Sequence, residues 1–209
     1  ILKADFLAEE TLSEKTFTCI IGNPPWKDRG KKQRAQQFIQ KAPALLESGG
    51  TGCLLLPTKI LQNQTDAFQE KWLKKITLEL VLQLADYSFL LFQGALCPAF
   101  IARFKNTSPE IFTHKVEFNA PKFNRNGLRK GVVIVNPSSQ TWLPLADILA
   151  ASQSKSAPVV WKRRLWGTPR DQKLLDFLQS IPTLSELAGT PKEGKRWIKG
   201  QGFQPNTSG

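Results

Sequence analysis

Apolar and polar positions follow two different periods along the first half of the chain. Phe17-Thr18-Cys19-Ile20-Ile21 is a short, β-rich apolar run that stops at Gly22-Asn23-Pro24-Pro25-Trp26, where two prolines cannot donate to a ladder. This predicts a buried strand. Ala35, Phe38, Ile39, Ala42, Leu45 and Leu46 then fall on one helical face, with Pro43 expected to kink it. Ser48-Gly49-Gly50-Thr51-Gly52 reads as a turn, and Cys53-Leu54-Leu55-Leu56 before Pro57 as a second buried strand, which makes a β-α-β unit. Asp66 can cap a second helix with Phe68, Trp72 and Ile76 four residues apart, leading to a strand at Leu80-Val81-Leu82-Gln83-Leu84. Ala99 to Phe104 is a further strand, joined by a loop too short for a helix and therefore antiparallel. The sum is an open α/β sheet with one reversed strand.

The pattern changes beyond Lys105. Asn106 to Pro109 is turn-rich, Pro121 to Gly131 carries Lys122, Arg125, Arg129 and Lys130 with no acid, and Val132-Val133-Ile134-Val135 reads as one more strand. Ala150 to Pro158 has the composition of a linker. Thr168-Pro169-Arg170-Asp171 and Thr183-Leu184-Ser185-Glu186 both read as helix starts with capping chemistry. Three regions are expected: residues 1–105, a basic connecting segment at 106–157, and a small mixed region at 158–209 whose tail from Gly200 is frayed. At the front, Ile1 to Leu7 reads as the end of a strand running into a loop.

Composition narrows the function. With 41% hydrophobic and 22% charged residues over 209, the chain is an ordinary globular one rather than a fibrous or wholly disordered one. Lys and Arg number 29 against 17 Asp and Glu, a net charge of +12 that favours a polyanionic partner such as nucleic acid. Cys19, Cys53 and Cys97, with the single His114, form neither a zinc cluster nor a disulfide framework, so no metal is expected and a reducing, cytoplasmic setting is the simplest reading. The apolar stretch Tyr87 to Phe104 is broken by Gln93, Gly94, Pro98 and Arg103, which argues for a soluble chain with no membrane partner. No signal-peptide pattern is present, and a chain opening on Ile1 with no Met is expected to be a piece of a longer one.

The informative chemistry lies at Asn23-Pro24-Pro25-Trp26, at the carboxyl end of a strand, where open α/β sheets hold ligands. Neither proline has an N–H, so nearby carbonyls stay free to accept from outside, and the Asn23 amide oxygen adds a second acceptor. Two acceptors on the hydrogens of an exocyclic amine favour a pyramidal, nucleophilic nitrogen. Trp26 offers a flat face for stacking a base, a contact worth about 1–3 kcal/mol. The set suits an extruded base.

These residues resemble a known family, the amino-group DNA methyltransferases of the N6-adenine type, as found in restriction-modification systems, in the branch with its target-recognition region after the catalytic domain. The resemblance rests on Ala4-Asp5-Phe6-Leu7, Phe17 to Trp26, Leu54-Leu55-Leu56-Pro57, and Leu91-Phe92 ahead of Ala99 to Phe104, in family order. It implies that Asn23, Pro24, Pro25 and Trp26 form the catalytic segment, with Asn23 and Pro24 as acceptors. Trp26 would stack on the target base, where the family more often has Tyr or Phe, and Phe92 would close over its other face. Asp5 and Phe6 would contact the adenine ring of S-adenosylmethionine. In-line methyl transfer from a sulfonium needs positioning and desolvation rather than a covalent intermediate.

The family's glycine loop for the cofactor normally precedes the position of Asp5 and is not found in this chain. Gly50-Thr51-Gly52 comes too late in the order and reads as a helix-to-strand turn. By resemblance, residues 1–105 are then the second half of a catalytic domain, a partial Rossmann-like S-adenosylmethionine-dependent methyltransferase sheet, 158–209 begin a target-recognition region, and the fragment alone is expected to be inactive. Implied partners are double-stranded DNA, the missing upstream half, and a restriction or specificity module. Lys27, Arg29, Lys31, Lys32 and Arg34 are candidates for the DNA backbone, although a charge run is commonly a solvated loop. Two other readings stand beside this one: a methyltransferase acting on RNA or a protein amide, since the same tetrapeptide serves both, and a non-catalytic DNA-binding scaffold. The cysteines, Trp72 and Trp161 are read as core, and His114 is given no role.

Overall fold

The structure, a computed structural model, describes residues 5–8, 16–26, 34–62, 67–91, 97–153, 157–165, 169–189 and 197–198. Two compact units divide the chain, Ile1–Thr168 and Pro169–Gly209. The first is a six-stranded mixed sheet. Its elements are β1 (Phe17–Gly22), α1 (Arg34–Lys41), β2 (Leu46–Pro57), α2 (Lys59–Gln62), α3 (Phe68–Lys75), β3 (Thr77–Gln83), α4 (Ser88–Leu91), β4 (Ala99–Lys105), β5 (Lys115–Asn119), α5 (Arg125–Arg129), β6 (Gln140–Pro144), α6 (Leu145–Gln153) and α7 (Ala157–Leu165). The strands lie in the order β1-β2-β4-β3-β5-β6. β1 and β2 are parallel, β4 runs against both β2 and β3, β3 and β5 are parallel, and β6 runs against β5.

The expected β-α-β unit and the reversed strand at Ala99 are therefore present, and β6 adds a second reversed strand at the far edge. The stretch read as a connecting segment supplies β5 and β6 to this same sheet and α6 to the same unit. Of the residues read as a linker, Ala150 to Pro158, 150–153 end α6 and 157–158 open α7, with 154–156 outside the described residues. The second unit holds α8 (Pro169–Ser180), α9 (Leu184–Leu187) and a parallel pair, β7 (Ala188–Gly189) with β8 (Trp197–Ile198). Pro169 opens α8 as expected, and the Thr183–Glu186 capping box forms. Asp66, Thr168 and the tail from Gly200 lie outside the described residues.

Three local expectations are corrected. The glycine run at 49–52 is not a turn: β2 begins at Leu46 and runs through it. The cause is close approach. A Cβ on Gly52 would sit 2.2 Å from Phe104 Cζ, and one on Gly50 would sit 3.2 Å from the carbonyls of Phe17 and Thr18, so these positions must lack a side chain for β4 and β1 to pair with β2. Val132 to Val135 is not a strand; this segment folds back over α5, where Val132 N–H donates to the Gly127 carbonyl at 2.9 Å. Pro43 does not kink one long helix but falls in a 3₁₀ turn, Ala42–Leu45, that ends α1.

One sheet face is packed and the other is open. Leu54, Leu56, Phe100, Ala102, Phe104, Leu78, Val81, Val116 and Phe118 are buried beneath the helices, while their alternating neighbours Cys53, Leu55, Ile101, Arg103, Leu80 and Leu82 are not. α2, α3 and α7 are tied by a buried amide: Gln69 Nε2 donates to the Leu61 carbonyl at 2.6 Å, and its Oε1 accepts from Trp161 Nε1 at 3.0 Å. Trp72 and Trp161 are core, as read from sequence. Cys19 and Cys97 are instead exposed and Cys53 half-buried, because β1 is an edge strand and the face above Cys53 is uncovered. The same cause overturns the expectation that β1 is buried, since Ile21 is 79% exposed.

Candidate active site

β1, β2, β3 and β5 all run the same way, so their carboxyl ends meet at one edge of the sheet. Asn23 to Trp26 leave the end of β1 at that edge. Gly22 opposite Leu54 is the last β1–β2 pair, and one residue further on Trp26 Nε1 donates to the Leu55 carbonyl at 3.3 Å. The indole thus makes the next bond to β2, which the prolines cannot make. Trp26 is half-buried and packs against the core, Pro24 is buried, and Asn23 and Pro25 are exposed. Neither the Asn23 side chain nor the Pro24 carbonyl has a hydrogen-bond partner among the described residues. Both remain available as acceptors.

Asp5 and Phe6 form a turn docked on α1. Asp5 Oδ1 accepts from Leu7 N–H at 3.0 Å, Phe6 stacks on Phe38 with ring centroids 4.6 Å apart and planes 6° from parallel, and Lys41 Nζ donates to the Ala8 carbonyl at 2.8 Å. One Asp5 oxygen is thus engaged locally, and one face of Phe6 is covered by Phe38. Arg34 is exposed at the start of α1. Phe92 and the basic positions Lys27, Arg29, Lys31 and Lys32 lie outside the described residues.

Sequence reading missed a cavity of about 380 Å³ at the same edge, lined by Thr58, Lys59, Gln62, Ala85, Asp86, Cys97 and Pro98. It opens past the ends of β2 and β3, and its volume is in the range of small-molecule pockets, roughly 300–1,000 Å³. Thr58 is buried; its N–H donates to the Pro98 carbonyl at 2.9 Å and its Oγ1 to Gln83 Oε1 at 3.0 Å. The Gln83 Nε2 beside it is buried without a partner among the described residues. The signal in the sequence was slight: a polar residue just after each of two apolar strands.

Beyond the cavity lies an aromatic cluster. The Phe123 ring meets Tyr87 and Phe89 edge-on at 5.9 and 5.4 Å, and Tyr87 OH donates to the Lys122 carbonyl at 3.0 Å. Burial, then the neighbouring Asp86 charge, pushes the Tyr87 phenol above its ordinary pKa, so it stays a protonated donor at neutral pH. His114, given no role above, lies 2.7 Å from the Leu78 carbonyl through Nε2, a bond that ties the start of β5 to β3. Among the described residues no group of His, Cys, Asp and Glu is arranged to hold a metal ion, and no helix is long and apolar enough to cross a membrane.

No family model and no curated protein matches this sequence. Solved structures do. A chain from a type I restriction-modification complex, described for its assembly and conformational transition, is similar over 80% of this chain at 13% identity, with a TM-score of 0.52. A modification subunit of a putative type I restriction enzyme from Vibrio vulnificus is similar over 67% of this chain at 14% identity, with a TM-score of 0.50. At such identities the likeness is one of fold, and the chain spans 45% and 36% of those two proteins, less than half of either.

Proposed function

We propose that this chain is the acceptor-bearing part of a methyltransferase that moves a methyl group from S-adenosylmethionine to adenine N6 in double-stranded DNA, within a restriction-modification or phage-defence system. The observation that carries the reading is the pair of unpartnered acceptors, Asn23 Oδ1 and the Pro24 carbonyl, at the carboxyl end of β1 beside the pinned indole of Trp26. The likeness in fold to a type I modification subunit supports it. The cavity at the ends of β2 and β3 gives an extruded nucleotide room at the same edge.

The residues present fit only part of the cofactor. Asp5 keeps one carboxylate oxygen for an adenine amino group, but Gly50 and Gly52 are spent on strand packing and cradle nothing. S-adenosylmethionine, when bound, supplies the electrophilic methyl. Asn23 and Pro24 hold the target amine by its hydrogens and turn its lone pair toward the incoming carbon, and Trp26 fixes the plane of the base. The rest of the cofactor site falls to an upstream half. The outer edge of β1, unpaired among the described residues and with Ile21 79% exposed, is where a further strand would add, and the open sheet face is where its helices would lie. Alone, the chain is inactive in this reading. A restriction or specificity subunit is the expected further partner, in a cytoplasmic setting.

The test joins the chain to a cofactor-binding half at its amino end and measures labelled methyl incorporation into duplex DNA. Asn23→Ala, which touches no core contact, is expected to lower the rate at least 100-fold at unchanged cofactor affinity, the scale of losing one oriented donor or acceptor in a transition state. Incorporation unchanged in that variant would overturn the assignment. Transfer to RNA or to a glutamine side chain in place of DNA would keep the chemistry and replace the substrate.

A further inference from the structure

Between Glu117 and Asp147 the chain contains no acidic residue, and its four cations in that interval, Lys122, Arg125, Arg129 and Lys130, are all exposed. They stand on a built element rather than a slack loop. At its root Ala120 N–H donates to the Ser139 carbonyl, Tyr87 OH holds the Lys122 carbonyl, and Phe123 is wedged between Tyr87 and Phe89. Asn124 caps α5 by accepting from the N–H groups of Asn126 and Gly127 at 2.9 and 3.0 Å. At the other end Gly131, at φ +66°, closes a Schellman motif: its N–H donates to Leu128, and Val132 N–H to Gly127. Gly127 is required at the crossing, since a Cβ there would lie 2.7 Å from the Val132 carbonyl.

The cations are therefore held in place, and Arg125, Arg129 and Lys130 have no acidic partner among the described residues. Asp86, whose Oδ2 lies 3.5 Å from Phe123 N, sits at the anchored root. The element leaves the end of β5, at the same sheet edge as Asn23, and the order β1-β2-β4-β3-β5 puts four strand spacings between them. At roughly 4.8 Å each this is about 19 Å, or five to six base-pair steps at about 3.4 Å.

We propose that the capped Pro121–Gly131 element is a phosphate clamp that holds the backbone of duplex DNA about half a helical turn from the base presented to Asn23. It rests on the reading above only for the choice of duplex DNA as ligand. Like charges fixed by caps and aromatic anchors lose little freedom on meeting phosphates. Neutralising each phosphate releases a counterion, which makes the contact visible as salt dependence.

The experiment is fluorescence anisotropy of a labelled 24-base-pair duplex with the full 209-residue chain, from 50 to 200 mM KCl. In R125A/R129A/K130A the slope of log K against log salt is expected to shrink by up to about 2.7, or 0.9 per phosphate, and binding at 0.1 M to weaken up to about 500-fold. R125K/R129K, which keeps the charges, should keep the slope. K74A/K75A/K115A removes equal charge from the opposite edge of the sheet and should leave most of it. If the triple variant proves poorly folded, the three single substitutions, each worth about 0.9 in slope, decide the matter. An unchanged slope, an equal drop in the control variant, or a loss seen only in a parallel titration against phosphatidylserine vesicles would overturn the clamp. No cofactor or methyl transfer enters the assay. Duplex binding through this element by a chain that never methylates would sink only the catalytic reading; methylation with an unchanged slope would sink only the clamp.

Discussion

Gly52→Ala separates a structural glycine from a cofactor glycine. Gly52 lies in β2 between Ile20 of β1 and Phe104 of β4, and a Cβ built there would stand 2.2, 2.5 and 2.6 Å from three carbons of the Phe104 ring. Ordinary carbon contacts begin near 3.4 Å, so about 1.2 Å of overlap must be relieved. Phe104 is fully buried and cannot swing into solvent. Overpacking of this kind costs about 1–3 kcal/mol and occasionally more, and with the ring enclosed we expect about 3 kcal/mol. For a chain of this length that is roughly 6–12 °C in Tm. Thermal and urea unfolding followed by far-ultraviolet circular dichroism would measure it. Phe104→Leu, itself destabilising through the void it leaves, should relieve the clash, so the double variant should lie at least 1 kcal/mol above the additive sum. A Gly52→Ala protein with parental stability, or strict additivity with Phe104→Leu, would refute the packing account and return Gly50-Thr51-Gly52 to candidacy as a ligand loop.

Two further outcomes follow from buried groups. Gln69→Leu leaves the Trp161 N–H and the Leu61 carbonyl without their partner in a dry site, at about 1–3 kcal/mol for each orphaned group; the urea midpoint should fall with an unchanged m-value, and a neutral substitution would show that α7 is not held through this amide. Burial pushes the Cys53 thiol above its ordinary pKa, an effect that outweighs the nearby Arg103 charge, so less thiolate is present at pH 7 and alkylation should reach Cys53 after the exposed Cys19 and Cys97. Its labelling should rise steeply only as pH climbs above the ordinary thiol value. Peptide mass spectrometry over a time course reads this directly, and Cys53 reacting first would contradict the half-buried placement.

What the sequence disclosed and what it hid divide by range. The end of β1 at Asn23-Pro24-Pro25-Trp26 was legible because its signal is local: prolines end a ladder wherever they fall. The reversal of β4 is present as expected, but the connection before it is not too short for a helix: Ala85–Tyr87 is a 3₁₀ turn and α4 follows it. The true extent of β2 was not legible, because Ser48 to Gly52 has turn composition and only the Phe104 ring, arriving from a later strand, makes a strand of glycines necessary. Val132 to Val135 failed in the opposite direction. Its composition suits a strand, but the Schellman closure at Gly131 turns it over α5 and leaves it with no ladder partner. β6 went unread since Gln140-Thr141-Trp142-Leu143-Pro144 puts a single buried residue, Leu143, into the core and so shows no alternation.

The same distinction explains why the candidate site was only half visible. Acceptors are chemical types and can be recognised one at a time, whereas the cavity and the cationic element depend on which strand ends share an edge. That follows from the order β1-β2-β4-β3-β5-β6, which no single segment encodes. Once the order is known, the edge becomes a line with Asn23 at one end, Thr58 and Asp86 in the middle, and Arg125 to Lys130 toward the other. Each borrows its rigidity from a different strand. The weakest support is under Asn23, because β1 pairs on one side only and exposes Ile21, while an oriented acceptor must be held within about 0.5 Å to act. The proposed chemistry at this edge therefore depends on a partner that completes β1. The proposed phosphate contact, standing on the internal strand β5 and its own caps, does not.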